Sequence, residues 1–319
     1  MGASINHLST CSGYAGFCLA LRELFEDCRT IAHVEIEAFA CANLVAKMEA
    51  GKLDSCPIWT DLRTFDGRPY RGLVDVLSGG FPCQPFSLAG KREADKDPRH
   101  IFPHLARVID ECKPSAVFLE NVNGILTSKM GGEERTSVLK HVLGRLEEMH
   151  YTATFGVFAA SEVGAPHKRS RVFILAVADI DRWRQSQLSS PLDEDRHQSR
   201  WHDSDRCSEA VADVLESRSQ GLADSIGEEE RSKGRRAGTR SITPSGVFSE
   251  SRRWPALPGK EQFKWESPRT LEPGLERTPD ERSRWVDRLR LLGNGIVPAQ
   301  AAHAYRILSN QLREDYANE

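Results

Sequence analysis

The sequence predicts an α/β fold, with a doubly wound, mostly parallel sheet and a smaller, irregular second domain. Through residues 1–178, short apolar runs alternate with longer amphipathic segments. Residues 179–284 are rich in charge and lack long apolar periodicity, and apolar order returns in residues 285–310. Because strands that alternate with helices form parallel sheets covered on both faces, residues 1–178 are assigned to that architecture.

Each element follows from its local pattern of apolar residues. Strands are predicted at Ile5–Ser9, Ile31–Glu35, Val74–Leu77, Ala116–Leu119 and Arg171–Ala176. Helices are predicted near Phe17–Phe25, Ala38–Ala50, Ile101–Cys112, Val138–His150 and Ala299–Leu308. Pro298 suits the first turn of the last helix, and Gly293-Asn294-Gly295 predicts a sharp turn before it. Residues 311–319 are predicted to be a polar, frayed tail.

Length and composition exclude several classes of protein. The chain has 319 residues, a length typical of about two domains, and a net charge of −3, which excludes a uniformly basic coat. No run of about 18 apolar residues predicts a membrane span, and the first residues do not read as an export signal. The eight cysteines include no CxxC pair. We therefore expect a cytoplasmic protein with reduced thiols and no metal site.

The segment 179–284 has two interpretations. Its polarity predicts partial disorder, above all in residues 179–240. Residues 231–260, however, contain eight basic residues and only one acidic residue, and Phe248 and Trp254 lie among them. Basic residues interleaved with aromatic ones suit a surface that contacts phosphate, and Arg235 and Arg236 are our candidates for it. For residues 231–260, the alternative to a phosphate-contacting surface is a solvated loop.

A glycine-containing turn follows the first strand, at residues 10–16. Such a turn before a helix offers free N–H groups to a nucleotide-like cofactor, although many strand–helix turns contain glycine. Glu35 follows the second strand and could accept from ribose hydroxyls, with Glu37 as a competitor for that role. Asp61 could accept from an adenine amino group.

Three further strings carry reactive side chains. Cys83 stands in the rigid string FPCQPFS after a strand, where a thiolate would be exposed, although free cysteines more often pack as small apolar groups. Glu120 ends an apolar strand, and burial there would raise its pKa and keep a proton available; the alternative is a capping acid. Arg169 and Arg171 alternate at strand spacing and suit a planar acceptor, or a salt-bridged strand end.

Together these strings resemble the DNA cytosine-5 methyltransferase family. FPCQPFS, ENV, the Arg-Ser-Arg strand and GNGIVP carry the resemblance, which covers about 1–176 and 285–308. It implies a Rossmann-like methyltransferase fold, S-adenosylmethionine as cofactor and a cytosine rotated out of double-stranded DNA. In the family the GNGIVP block folds back beside the first strand. We expect a monomer, with a cognate restriction endonuclease, protection of a phage genome or solitary action left open.

The resemblance assigns roles residue by residue. Cys83 would add to carbon 6 of the base and Glu120 would protonate ring nitrogen 3. Arg171 would hold the base carbonyl and orient Glu120, and Arg169 would support the same loop. Asn121 would fix the strand end and Pro82 the cysteine loop. The implied cofactor pocket comprises Ser12, Gly13, Gly16, Glu35, Asp61, Pro82 and Asn294. The implied phosphate contacts are Ser87 and Arg99.

Three positions depart from the family pattern. Cys11 replaces the aromatic residue that covers the adenine, and His167 replaces the usual Gln before the paired arginines. The arginine-rich block before GNGIVP is reduced to the string from Arg282 to Leu289. Two other hypotheses are open: a methyltransferase that acts on tRNA with the same residues, and a catalytically silent DNA-binding or regulatory protein.

Overall fold

The computed structural model describes residues 4–82, 101–128, 137–186, 188, 191 and 279–315. Its strands are β1 (Ile5–Thr10), β2 (Cys28–Val34), β3 (Ile58–Trp59), β4 (Val76–Gly80), β5 (Ala116–Val122), β6 (Thr152–Ala159) and β7 (Ser170–Val177). Its α-helices are α1 (Gly16–Leu24), α2 (Ala38–Glu49), α3 (Phe102–Cys112), α4 (Gly124–Thr127), α5 (Val138–Glu148), α6 (Ile180–Arg184), α7 (Pro279–Asn294) and α8 (Pro298–Asp315).

The strands form one seven-stranded sheet in the order β3-β2-β1-β4-β5-β7-β6. Neighbours are parallel from β3 through β5, whereas β7 runs antiparallel to both β5 and β6. The predicted doubly wound, mostly parallel sheet is confirmed. The chain leaves β1 toward β2 on one side and later returns to place β4 on the other. The carboxyl ends of β1 and β4 therefore border the crevice where such sheets bind ligands.

Apolar clusters cover both faces of the sheet. On one face α3 and α5 bury residues that include Leu105 and Val142 against Leu8 and Leu119. On the other face α1 and α8 pack over β5 and β7, and the ring of Tyr305 meets those of Phe118 and Phe25 at 5.2 and 5.4 Å. Helix α8, from near the end of the sequence, is therefore part of the same core as the first helix.

The structure corrects several predicted elements. Strands β3 and β6 were not predicted; β6 contains Gly156, which interrupts its apolar alternation, and β3 has only two residues. Strand β4 begins and ends later than the predicted Val74–Leu77. Helix α8 continues to Asp315, because Leu312, at 1% exposed, adds another apolar contact to the α1 side of the core. Residues 311–315 are thus helical, not tail.

Residues 1–194 and 283–319 form one compact unit, and residues 195–282 form a second. The first unit extends beyond residue 178, where the sequence predicts the domain to end, and includes α6, whose first turn is capped by the Asp179 side chain accepting from the Arg182 amide at 2.9 Å. Of the second unit only residues 279–282 are described, so the predictions for 179–284 otherwise remain predictions. Among the described helices, none combines the length and apolar character that crossing a bilayer requires.

Candidate active site

The turn between β1 and α1 has an unusual backbone. Cys11 and Ala15 adopt left-handed φ angles of 48° and 74°, a conformation that costs free energy in residues with a side chain, and Gly13 adopts 54°. The Ser12 hydroxyl donates to the Ser9 carbonyl at 3.0 Å, which ties the turn back to β1. Around Gly13 there is open space, since an added Cβ would meet nothing within 4 Å. The turn therefore presents accessible backbone where a ligand could lie.

Glu35, not Glu37, belongs to this turn. The buried Glu35 carboxylate accepts from the Gly13 amide at 2.7 Å through one oxygen and from the Glu37 amide at 2.9 Å through the other. Glu37 is exposed and precedes α2. Each Glu35 oxygen retains a lone pair after these bonds, so the carboxylate could still accept from two ribose hydroxyls.

Asp61 lies at the same edge, near the end of β3. Its carboxylate pairs with the Arg63 guanidinium at 2.9 Å, and the hydrogen bonds from Arg63 lower the pKa of Asp61. Two large apolar side chains that the sequence did not single out are exposed nearby in the chain: Ile36 follows β2 and is 63% exposed, and Trp59 ends β3 and is 49% exposed. These two side chains offer exposed apolar surface beside the ends of β2 and β3.

The end of β4 leads directly to the predicted nucleophile. A Cβ on Gly79 would lie 2.5 Å from the Thr10 hydroxyl oxygen, so glycine allows β4 to approach β1 closely. The Asn121 side chain donates to the Phe81 carbonyl at 2.9 Å, which fixes the chain just before the exposed Pro82. Cys83 is the next residue, and it lies outside the described residues, as do Ser87, Arg99, Arg235 and Arg236.

Glu120 lies beside this exit, because Gly80 of β4 pairs with Glu120 of β5. Its side chain is buried, and Arg171 Nε donates to Glu120 Oε1 at 2.9 Å. Burial raises the pKa of Glu120 to about 7, against the charges of Arg171 and Arg169, which lower it. Desolvation thus outweighs the two guanidinium groups, and the carboxyl can hold a proton near neutral pH.

Residues 293–296, which comprise the last two residues of α7 and the first two of its link to α8, are here named the C-terminal turn. The Arg169 guanidinium donates to the carbonyls of Gly293, at 2.8 Å, and of Gly295. The predicted sharp turn at Gly293-Asn294-Gly295 is thus shifted: Gly293 and Asn294 end α7 and the bend falls at Gly295, where the Tyr14 ring would collide with any side chain. Asn294 is exposed.

Two buried histidines were not anticipated from the sequence. They lie in β1 and β2, next to the turn at residues 10–16, which is here named the glycine turn. His7 of β1 contacts the Thr30 and Ser78 hydroxyls at 3.1 and 2.7 Å, and His33 of β2 contacts the Ser12 hydroxyl at 3.0 Å. Burial lowers the pKa of His7 to about 3 and that of His33 to about 4. The sequence signal was present, since β1 reads INHLST, with polar side chains in an otherwise buried strand. In the described ranges no group of three or more His, Cys, Asp or Glu side chains could hold a metal ion.

Comparison with known proteins gives consistent matches. The sequence model of the family of C-5 cytosine-specific DNA methylases matches residues 5–314. The chain is 34% identical to type II methyltransferase M.NgoMIV of Neisseria gonorrhoeae over 53% of its own length and 51% of that relative. It is 31% identical to type II methyltransferase M.NaeI of Lentzea aerocolonigenes over 54% of its length and 40% of that relative. The chain therefore spans about half the length of the curated relatives it matches.

Among solved structures, a mutant of Spodoptera frugiperda DNMT2 matches with a TM-score of 0.45 and 25% identity, over 55% of this chain and 50% of that one.

Proposed function

We propose that this chain, which belongs to the family of C-5 cytosine-specific DNA methylases, transfers a methyl group to carbon 5 of cytosine in double-stranded DNA. One observation carries the proposal: a buried, protonatable Glu120 held by Arg171 lies across the β4–β5 register from the residues that precede Cys83. A proton donor and a thiol at one strand edge suit attack on a pyrimidine ring.

The proposed reaction uses three side chains. A cytosine in a duplex must leave the base stack before a side chain can reach its carbon 6. The Cys83 thiolate then bonds to carbon 6, and Glu120 gives its proton to ring nitrogen 3, which neutralises the charge that develops on the ring. Arg171 holds the base carbonyl and keeps Glu120 oriented. After carbon 5 has gained the methyl group, loss of its proton and of the Cys83 sulfur restores the aromatic ring.

S-adenosylmethionine supplies the methyl group when it is bound. The open backbone at Gly13, the remaining lone pairs of Glu35 and the exposed Ile36 and Trp59 fit its ribose and adenine. We assign the cofactor pocket to these residues together with Ser12, Gly16, Asp61, Pro82 and Asn294. The pairing of Asp61 with Arg63 leaves its carboxylate a quarter exposed, so a contact with the adenine amino group remains open to it.

The decisive experiment measures tritium transfer from labelled S-adenosylmethionine into duplex DNA of varied sequence. Parent protein should label the DNA, and Cys83→Ala should not. Equal labelling by the two proteins, or none by a folded parent, contradicts the proposal. Including tRNA as a competitor separates the RNA alternative, and DNA that binds without becoming labelled supports the silent DNA-binding alternative.

A second experiment tests the covalent step. DNA that contains 5-fluorocytosine cannot lose its carbon-5 substituent, so the enzyme should remain bonded to it through Cys83. The complex should survive denaturing electrophoresis with parent protein and be absent with Cys83→Ser. Bisulfite sequencing of DNA from cells that express the protein would then identify the target site. A cognate restriction endonuclease remains a proposed partner.

A further inference from the structure

Ile296 of the C-terminal turn lies beside the Glu120 carboxyl. Gly80 has no side chain, and the point where its Cβ would lie is 3.2 Å from Ile296 Cδ1 and 3.3 Å from Glu120 Oε2. The aliphatic side chain and the carboxyl oxygen therefore share the space above Gly80. Both residues are buried: Ile296 is 8% exposed and Glu120 is 6% exposed.

The position of Ile296 is fixed from three directions. The Tyr14 hydroxyl donates to the Ile296 carbonyl, and a Cβ on Gly16 would lie only 2.5 Å from that oxygen. Arg169 holds the carbonyls of the two glycines before it. The C-terminal turn is thus attached to Tyr14 in the turn after β1 and to Arg169 just before β7, so the Ile296 side chain has little freedom to leave Gly80.

We propose that Ile296 is a positioning residue for the acid, whose side chain excludes water from the Glu120 carboxyl and so holds that group in its protonated form. The inference rests on the proposed function and adds to it a residue without any polar group, from the opposite end of the sequence. Its consequence is that docking of the C-terminal turn makes the acid able to donate.

The charges near Glu120 favour its ionised form, so an apolar contact is needed to keep the carboxyl protonated. In the described part of the chain, Arg171 and Arg169 are the charged groups that act on the Glu120 carboxyl, and both favour its ionised form. Gly80 and residues 293–296 have no ionisable side chain. Burial of the carboxyl opposes the two guanidinium groups, and in the described part of the chain Ile296 is the apolar side chain nearest to the Cβ position of Gly80.

Ile296→Thr and Ile296→Val form a matched pair that tests the proposal. The two substituents have nearly the same shape, but the threonine hydroxyl brings a hydrogen-bonding group and water toward the carboxyl. Carbon-13 spectra of protein labelled at the glutamate carboxyl, without DNA, follow the titration of Glu120, and Glu120→Gln assigns its signal. Ile296→Val lacks the Cδ1 atom nearest to Gly80, so we expect its titration midpoint to fall somewhat below the parental value. The midpoint in Ile296→Thr should fall about one pH unit further.

Methyl transfer provides the second readout. Above the midpoint, each unit by which the midpoint falls reduces the protonated fraction about tenfold, so Ile296→Thr should be slower than Ile296→Val at pH 8 by about that factor. At low pH their rates should converge, and their affinities for S-adenosylmethionine should agree. Equal midpoints in two folded variants overturn the inference.

Tyr14→Phe tests the role of Ile296 if the Ile296→Thr protein does not fold. It removes the hydroxyl that binds the Ile296 carbonyl but keeps the ring against Gly295, and a loosened turn should lower the midpoint by a smaller amount. An unchanged midpoint in Tyr14→Phe would then refute the inference. Because these titrations need neither DNA nor methyl transfer, a chain that transfers no methyl group but shows the shifts would contradict only the proposed function.

Discussion

At the scale of single residues, the Glu120 carboxyl is governed by two opposing effects. An arginine partner at 2.9 Å would ordinarily lower the pKa of a carboxyl, so that it stays ionised down to a pH well below neutral. The effect of burial is larger than that of the arginines, and it raises the pKa of Glu120 to about 7. The sequence predicted this direction because Glu120 ends an apolar strand, but it did not identify the Ile296 side chain or the glycine that admits it.

Glu120→Gln should lower the rate of methyl transfer by about 10²- to 10⁴-fold, because the amide cannot supply the proton. In the parent, the rate should fall as the pH rises above about 7, where the carboxyl loses its proton. Initial rates of tritium transfer across this pH range measure both effects. Glu147→Gln, on the exposed face of α5, should match the parent; a Glu120→Gln protein as active as Glu147→Gln would exclude Glu120 as the acid.

Glu35→Gln should weaken the binding of S-adenosylmethionine by about tenfold. The substitution replaces one of the two oxygens that accept from the Gly13 and Glu37 amides with a donor. Glu37→Gln changes an exposed carboxyl and should bind the cofactor like the parent. Calorimetric titration with the cofactor compares them, and equal affinities for all three proteins would contradict the role of Glu35.

At the scale of elements, most helices and strands could be predicted from apolar spacing, and the exceptions have physical causes. Strand β6 escaped detection because Phe155 and Val157 are exposed on an edge strand that Gly156 interrupts. The left-handed backbone at Cys11 and Ala15 has no sequence signature, since glycine and not cysteine or alanine favours it.

Gly16→Ala should separate the C-terminal turn from α1. The new methyl group would lie 2.5 Å from the Ile296 carbonyl oxygen, a backbone atom that cannot move alone. We expect a loss of about 1–3 kcal/mol in the free energy of unfolding and weaker cofactor binding.

Gly144→Ala is the matched control for that substitution. Gly144 lies inside α5 with nothing within 4 Å of its Cβ position, so alanine there should stabilise the protein by about 0.5–1 kcal/mol. Urea unfolding measures both changes. A Gly16→Ala protein as stable as Gly144→Ala would show that the close approach to Ile296 does not occur.

At the scale of the whole molecule, the alternation of strands and helices predicted the architecture and the edge at which the site lies. It could not predict the reversal of β7, because β7 returns from its hairpin with β6 to pair with β5, which lies much earlier in the sequence. The length of α8 was also underestimated, since its last buried residues pack on a helix that begins at residue 16.

The stability of the folded protein should depend on pH mainly through three buried groups, His7, His33 and Glu120, with a further contribution from the partly buried His104. The folded pKa values of His7 and His33 are about 3 and about 4, below the unfolded value of 6.5, so at pH 5–6 the unfolded chain binds two more protons there. Glu120, with a folded pKa of about 7 against 4.5 unfolded, offsets one of these. His104, whose pKa is also lowered by burial, acts in the same direction as the other histidines.

The free energy of unfolding should therefore rise with pH by about 1.4 kcal/mol per unit between pH 5 and 6. Glu120→Gln removes the opposing group and should roughly double this slope. Urea unfolding at pH 5.0, 5.5 and 6.0 provides the comparison. A slope that is negative in the parent, or that is unaffected by Glu120→Gln, would contradict the assignment of neutral histidines and a protonated glutamate.

The bond between the Tyr14 hydroxyl and the Ile296 carbonyl joins positions 282 residues apart. A ribosome adds roughly 5–20 residues each second, so the first helix waits on the order of tens of seconds for its partner to emerge. A nascent chain that stops before residue 296 lacks both the apolar side chain beside Gly80 and the carbonyl that accepts from the Tyr14 hydroxyl. Under the proposed function, such a chain should transfer no methyl group until residues 293–296 have left the ribosome and docked beside α1.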